Sequence, residues 1–276
     1  MLRIATLNLL HDTYALDERL GALADELRDA DLDFLLLQEV LPEDEHPTVS
    51  TLSRELDLPH SVYRRNLTRT SGNAVLSKHE LTTEMVKGYF PVTIPAAAST
   101  IIDGREVVVI SYHGAWGAHG MSTRVQELRQ IDGFAYEKFN RAGARLNADT
   151  RPVIVLGGDF NDVPDSDPIR YLSGLGLAGD ASTFWLDAMV HAGDTGHTSG
   201  FPSELSIRSA LAAASTPRPE RRPLRRIDYL FVYEWAYGQA GEPISGRRFA
   251  TGKFLGPDGE LTISDHYGLL TDLWMP

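Results

Sequence analysis

Six polar islands carry the side chains in this 276-residue chain that could do chemistry: Asn8, Gln38-Glu39, His113, Asp159-Phe160-Asn161, Arg226-Ile227-Asp228 and Ser264-Asp265-His266. Carboxylates, amides and imidazoles hold hard cations, activate water and steady developing negative charge. Singly, each island has a plain explanation. An Asn after a strand makes a turn, a Glu is a solvated cap, and a His hydrogen-bonds locally. Together, at the ends of successive apolar runs where functional loops emerge, they point to one shared site. The chain has no Cys, which removes disulfides, zinc ribbons, iron–sulfur clusters and thiol nucleophiles. A metal here would have to be hard or borderline, held by Asp, Glu, Asn and His.

The elements that must position these islands follow from hydrophobic spacing. Leu2 to Leu10 reads as a buried strand, and Leu16, Leu20, Leu23, Ala24 and Leu27 mark a helix after it. Asp33 to Gln38 is a second buried strand, so Glu39 sits at a mouth where α/β folds place chemistry. A helix near Val49 to Leu56 precedes β-like runs at Asn73 to Ser77, Leu81 to Tyr89 and Val107 to Tyr112. Ser122 to Arg141 is helical, with Val125, Leu128, Ile131 and Phe134 on one face. Pro152 to Leu156, Ile227 to Tyr233 and His266 to Leu273 complete the core strands. Ser203 to Arg226, with three prolines and five arginines toward its end, predicts a long surface loop. Its arginines are either solvated or bind substrate phosphates.

Composition bounds the function. There are 26 Lys+Arg against 38 Asp+Glu, a net charge of −12, which argues against indiscriminate nucleic-acid binding. Hydrophobic residues at 42% supply a sizeable core. No apolar run approaches the roughly 20 residues of a membrane span, and Asn8, His11 and Asp12 interrupt the N-terminal apolar stretch too early for a signal peptide. A cytoplasmic protein is expected. No linker divides the chain, so residues 1–276 are read as one domain, with a monomer as the default. Two motifs fail on context. Gly174-Leu-Gly-Leu-Ala-Gly179 has dinucleotide-fingerprint lettering but follows a helix and opens none, so it is a turn. Asp159-Phe-Asn-Asp-Val-Pro164 starts like a calcium loop but has Pro164 for its central Gly and Arg170 for its closing Glu.

Thr6-Leu-Asn8, Leu36-Leu-Gln-Glu39, Gly72-Asn-Ala-Val-Leu-Ser77, Ser111-Tyr-His113, Gly157-Gly-Asp-Phe-Asn161, Arg226-Ile-Asp-Tyr229 and Ser264-Asp-His-Tyr-Gly268 together resemble the endonuclease/exonuclease/phosphatase, or DNase-I-like, superfamily. The resemblance runs from end to end of the chain. It implies a four-layer α/β/β/α sandwich, two facing β-sheets with helices outside, and a Mg²⁺-dependent phosphoesterase with Mn²⁺ as a possible substitute. Glu39 then suits the metal, with Asn8 as amide ligand or orienting group, and Asp265 is implied to bind a second metal or position the first. By the same resemblance Asp159 orients or deprotonates the attacking water and Asn161 holds a phosphate oxygen. His266 acts at the scissile phosphate with Asp228 on its other ring nitrogen, and His113 donates to the phosphoryl oxygens.

The chain also departs from the family's pattern. Leu10 stands where abasic-site endonucleases carry an acid, and Gly114-Ala-Trp116-Gly117 replaces an aliphatic residue after His113. Trp116 is either a pocket wall for substrate or a packed aromatic, and Arg225 is the candidate phosphate contact. The Gln38-to-Pro42 and Ser264-to-Leu270 stretches look closest to the 5′-tyrosyl-DNA phosphodiesterase branch. A phosphodiester in DNA or RNA is the leading substrate class. Sugar phosphates, inositol phosphates or sphingomyelin form the small-molecule alternative, and a noncatalytic binding module would have lost at least one island.

Overall fold

A computed structural model describes residues 1–67, 71–117, 120–141, 151–212, 223–234 and 238–276, with backbone only for 209–212. In chain order the elements are β1 (Leu2–Asn8), α1 (Leu16–Leu27), β2 (Phe34–Val40), α2 (Thr48–Glu55), β3 (His60–Arg65), β4 (Gly72–Ser77), β5 (Thr82–Glu84), β6 (Ala96–Ile102), β7 (Arg105–His113) and α3 (Met121–Arg141). There follow β8 (Val153–Asp159), α4 (Asp167–Leu172), β9 (Trp185–Asp187), α5 (Ala188–Ala192), α6 (Glu204–Ala212), β10 (Asp228–Tyr233), β11 (Pro243–Phe249), β12 (Lys253–Gly256), β13 (Gly259–Thr262) and β14 (Gly268–Leu273). One six-stranded sheet has the order β11-β14-β1-β2-β4-β3, the other β5-β6-β7-β8-β10-β9, and β12-β13 is a separate hairpin.

Alternation along the strands builds the layers. In β1, Leu2 and Ile4 point into the seam between the sheets while Ala5 and Leu7 point outward to α1. Phe34 and Leu36 of β2 enter the seam, and Leu35 and Leu37 pack under α1 and α2. In the second sheet Val107, Val109, Val153, Val155, Leu230 and Val232 fill the seam, whereas Val108, Ile110, Ile154, Tyr229 and Phe231 meet α3 and α4. The result is α/β/β/α, as expected. Each fully buried aliphatic side chain contributes about 1.5–3 kcal/mol, so a one-residue slip of any central strand, which would exchange its two faces, is strongly opposed.

The glycines of Gly157-Gly158 are forced by close approach. A Cβ on Gly157 would lie 2.6 Å from Leu230 Cδ2 and 2.9 Å from Leu36 Cδ1 across the seam, and one on Gly158 (φ +145°) would lie 1.9 Å from the Tyr112 carbonyl oxygen. No other residue lets β8 pass so near its neighbours.

Several expectations are corrected. Leu81 to Tyr89 is a strand only over Thr82–Glu84, because Gly88 and the prolines that follow break the pleat. Ser203 to Arg226 is not all loop: Glu204–Ala212 is helical, as its Ala- and Leu-containing sequence allows. Arg218, Arg221 and Arg222 lie outside the described residues. The last strand starts at Gly268, not His266, leaving His266 in a β-bridge with Ser199. Gly174 does form the turn after α4, with φ +72°. No described helix is long and apolar enough to cross a membrane.

Candidate active site at the polar end of the seam

The parity that sends Val107 and Val109 into the seam also sends Ser111 and His113 there, and Val153 and Val155 are followed by Gly157 and Asp159. Register then aligns the islands. His113 pairs with Asp159 across β7–β8, and Asp159 with Asp228 across β8–β10, so three polar side chains lie abreast in one sheet. On the facing sheet Asn8 pairs with Gln38. Gln38 bridges the sheets, donating from Nε2 to Ser111 Oγ (2.9 Å), and Ser111 donates to the Leu37 carbonyl (2.8 Å).

Glu39 would face the helix layer if alternation continued. Instead β2 spends three steps, Leu37 to Val40, where β4 spends two, Ala74 to Gly72. This bulge puts Glu39 at φ +55°, a left-handed conformation uncommon for Glu, and aims its carboxylate into the site. Val40 returns to the outer core with Leu35 and Leu37. Asn161 is also left-handed, at φ +54°, a region Asn tolerates.

Asp159 Oδ2 is the point of convergence. Asn8 Nδ2 donates to it at 3.1 Å, His113 Nε2 lies 3.6 Å away and His266 Nε2 3.8 Å. The other oxygen, Oδ1, accepts the Asn161 backbone N–H at 2.8 Å. Asn8 Nδ2 also reaches Glu39 Oε1 (3.3 Å), and Asn8 Oδ1 accepts from Leu10 N (2.9 Å), so this amide presents N–H groups to both carboxylates. His113 Nε2 is 3.8 Å from Glu39 Oε1. The Asn161 side chain donates to Gly114 O (3.0 Å), tying its loop to the one after His113.

His266 lies between acids. Its Nδ1 is 2.9 Å from Asp228 Oδ2, and its backbone N–H donates to Ser264 Oγ (3.1 Å), which in turn donates to Asn8 O (2.6 Å). Burial alone would lower its pKa, but Asp228 and Asp159 raise it well above the ordinary value. Burial pushes the Asp228 carboxyl up, against the pull of His266. For Glu39, burial is outweighed by His11, His113 and His266, which hold it well below the usual carboxylate range. Asp265 is raised by burial.

Two groups of side chains could meet a cation. The ligand atoms of Asp159, Asp228 and His266 all lie within 4.8 Å of one another, but His266 Nδ1 and Asp228 already satisfy each other. Glu39 and Asp265 differ: Asp265 Oδ1 is buried with no hydrogen-bond partner, a costly state that a bound cation would relieve. The oxygen donors there suit Mg²⁺ or Mn²⁺.

The rim residues separate. Arg225 is exposed, and its backbone pairs with Ser199, which bridges to His266. Arg226 instead is buried, paired with Asp187 and lying over the Tyr229 ring, so it is structural. Trp116 is 63% exposed and so is not a packed aromatic. Two surface hollows of about 450 and 480 Å³, beside α3 and along β5–β6, share no residue with this site.

The islands do not account for everything that shapes the centre. Thr198 Oγ1 accepts from the N–H groups of Ile227 (3.1 Å) and Asp228 (3.2 Å). Buried Arg124 on α3 pairs with Asp162 and donates to Ala115 O (2.5 Å), clamping together the loops after His113 and Asp159. Glu127 accepts from Tyr112 OH (2.7 Å), and burial pushes its pKa up to about 7. Buried Arg19 binds the carbonyls of Leu9, Leu10, Asp12 and Ile263. A cue existed for the arginine on α1, which falls on the buried stripe of Leu16, Leu20 and Leu23; Thr198 had none.

Comparison with known proteins agrees with this geometry. The endonuclease/exonuclease/phosphatase family model matches residues 5–266. Comparison with curated protein sequences returns no match. Similar solved structures include D. rerio TDP2 complexed with single-strand DNA product (17% identity, 99% of each chain, TM-score 0.68) and truncated Caenorhabditis elegans TDP2 (15%, 99% of this chain and 98% of the other, 0.66). A third is an endonuclease/exonuclease/phosphatase from Bacteroides vulgatus (18%, 100% of this chain and 99% of the other, 0.66). At these identities the likeness is one of fold. The chain therefore belongs to the endonuclease/exonuclease/phosphatase family, whose members are hydrolases of phosphoesters.

Proposed function

We propose that the chain is a single catalytic domain that hydrolyses phosphodiesters, with nucleic acid as the substrate class and Mg²⁺ as cofactor. The observation that carries the reading is the convergence of Asn8, His113 and His266 on Asp159 Oδ2, beside Glu39 and the orphaned oxygen of Asp265. A phosphodiester resists attack because its anionic oxygens repel a nucleophile and its leaving alkoxide is strongly basic. Glu39 and Asp265 would hold the cation, which supplies charge neutralisation when bound.

The remaining steps belong to the chain's own groups. Asp159 accepts a proton from the attacking water as the water oxygen bonds to phosphorus and the P–O bond to the leaving alkoxide breaks, that alkoxide taking a proton from solvent. Asn8 N–H and the Asn161 backbone fix the two Asp159 oxygens. His113 and His266 turn Nε2–H donors toward the charge that develops on the phosphoryl oxygens. Asp228, on Nδ1, sets the His266 tautomer and sustains its charge. Asn161 contributes an amide donor to a non-bridging oxygen on release from Gly114. Asn8 serves as the orienting group, since its oxygen is taken by Leu10.

At the rim, exposed Trp116 offers a face for a base and Arg225 a fork for a neighbouring phosphate. The D. rerio neighbour, complexed with single-strand DNA product, supports the nucleic-acid reading. The net charge of −12 favours a short or end-directed substrate over tracking along duplex DNA, and it also supports the small-molecule alternative. A panel with Mg²⁺ separates them: plasmid, oligonucleotides with free and tyrosyl 5′ ends, inositol phosphates, sugar phosphates and sphingomyelin. Turnover of the oligonucleotides at the highest kcat/KM is expected, and preference for a small phosphate ester would overturn the nucleic-acid assignment.

A further inference from the structure

Asp228 and His266 meet although no strand register relates them. Asp228 opens β10 in one sheet, and His266 lies 38 residues on, in the turn before β14 of the other. What joins them is the segment Thr198-Ser199-Gly200. Thr198 is fully buried, and its Oγ1 accepts the N–H groups of Ile227 (3.1 Å) and of Asp228 itself (3.2 Å). Its carbonyl accepts the N–H of Tyr267 (2.7 Å), and its own N–H donates to the Arg225 carbonyl (2.8 Å). Ser199 forms β-bridges to Arg225 on one side and to His266 on the other. One residue thus bonds to the backbone of Asp228 and to that of the neighbour of His266.

The segment is itself fixed at both ends. Gly200 has φ +85°, and a Cβ there would lie 2.0 Å from the Pro223 carbonyl oxygen, so only glycine lets the chain run this close to residues 223–225. Phe201 stacks on Tyr267, with ring centroids 3.9 Å apart and planes 12° apart, which presses the segment against the turn that carries His266. We infer that Thr198 is a positioning residue: by tying the backbone of Asp228 to that of Tyr267 it fixes the 2.9 Å approach of Asp228 Oδ2 to His266 Nδ1 and so the aim of His266 Nε2. The inference rests on the hydrolytic reading of this site. Val has the shape of Thr but no acceptor, so Thr198→Val takes from two buried N–H groups the oxygen they share. A misplacement of about 1 Å is enough to cost about 10²-fold in rate, so a small drift of the pair should be visible in turnover.

The test compares wild type, Thr198→Val and Thr198→Ser in the full chain, by steady-state hydrolysis of a chromogenic phosphodiester with Mg²⁺ and by proton NMR of the imidazole N–H groups. Thr198→Val should lower kcat about 10–100-fold with KM within about twofold, and Thr198→Ser, which keeps the oxygen, should return kcat to within about threefold of wild type. The loss should largely disappear in an Asp228→Asn background, because Thr198 acts through that carboxylate. Wild type should show a downfield His266 Nδ1–H signal, absent in His266→Ala, that moves upfield or vanishes in Thr198→Val and is kept in Thr198→Ser. If Thr198→Val does not fold, Thr198→Ala, whose smaller side chain admits a water to the two N–H groups, should lose turnover and shift the signal in the same direction. Wild-type kcat in Thr198→Val with the signal unmoved, an equal loss in Thr198→Ser, or a full further loss in the Asp228→Asn background overturns the assignment. No hydrolysis by wild type would instead remove the hydrolytic reading, and the NMR comparison would still decide for or against Thr198 as the tie between Asp228 and His266.

Discussion

The two ends of the inter-sheet seam obey one geometric rule and opposite energetics. At one end Leu2, Ile4, Phe34, Val107, Val153 and Val232 meet across the sheets, and at the other, on the same strand faces, stand Asn8, Gln38, His113, Asp159 and Asp228. Apolar burial stabilises the first by about 25 cal/mol per Å². At the second, burial disfavours every charge, and pairing among carboxylates and imidazoles only offsets that cost. The fold is thus held by one end and the proposed chemistry lies at the other, so substitutions should divide stability from activity according to where along a strand they fall.

The largest expected effect is on turnover. His266→Ala should lower kcat by about 10³-fold or more while metal affinity stays near wild type, and it should also cost stability, since Asp228 is left buried without its partner. Steady-state kinetics with a metal titration check this, and wild-type turnover in that variant would remove His266 from the mechanism. Arg124→Met joins both properties, because it leaves Asp162 buried without its cation and frees the loops after His113 and Asp159. A loss of about 3–5 kcal/mol is expected in urea denaturation, with kcat reduced more than KM is changed. Leu36→Ala, at the apolar end, should cost about 2–5 kcal/mol of stability and leave kcat of the folded fraction within about threefold.

The smallest effect sharpens the sign of the argument. The Glu127 carboxyl is raised to about 7 from the ordinary 4.5 by burial, so the folded state binds its proton more tightly than the unfolded chain does. Stability from this group is therefore full below pH 4.5, declines as pH rises from 4.5 to 7, and stays lost above that. Glu127→Gln keeps an acceptor for Tyr112 and removes the charge. It should stabilise the fold at pH 8 by about 1–3 kcal/mol and flatten the decline, as measured by denaturation across pH.

What could be read from the chain follows the same division. Asn8, His113, Asp159 and Asp228 were legible because each adjoins an apolar run whose alternation continues through it. Glu39 was legible as chemistry but not as geometry, since the bulge that turns it inward depends on pairing with β4. Arg124 and Glu127, three apart on a helix, look like a solvated face and are buried only because the loops after His113 and Asp159 close over them. His11 read as a polar break in an apolar stretch, for its contact with Glu39 joins segments that alternation does not relate. β6 carries no strand signal in the sequence because Ala96, Ala97 and Ala98 lack the branched side chains that mark a strand, and are small to fit the seam and the helix layer.

The most direct test of the account is hydrolysis of a chromogenic phosphodiester by the folded protein with Mg²⁺, with chelator, and with Asp159→Asn. Turnover that needs the metal, stops with chelator and falls about 10³-fold in Asp159→Asn, with the melting temperature preserved, is predicted. Turnover undiminished in Asp159→Asn, or none from wild type with Mg²⁺ or Mn²⁺, would contradict the claim that these side chains form a hydrolytic centre.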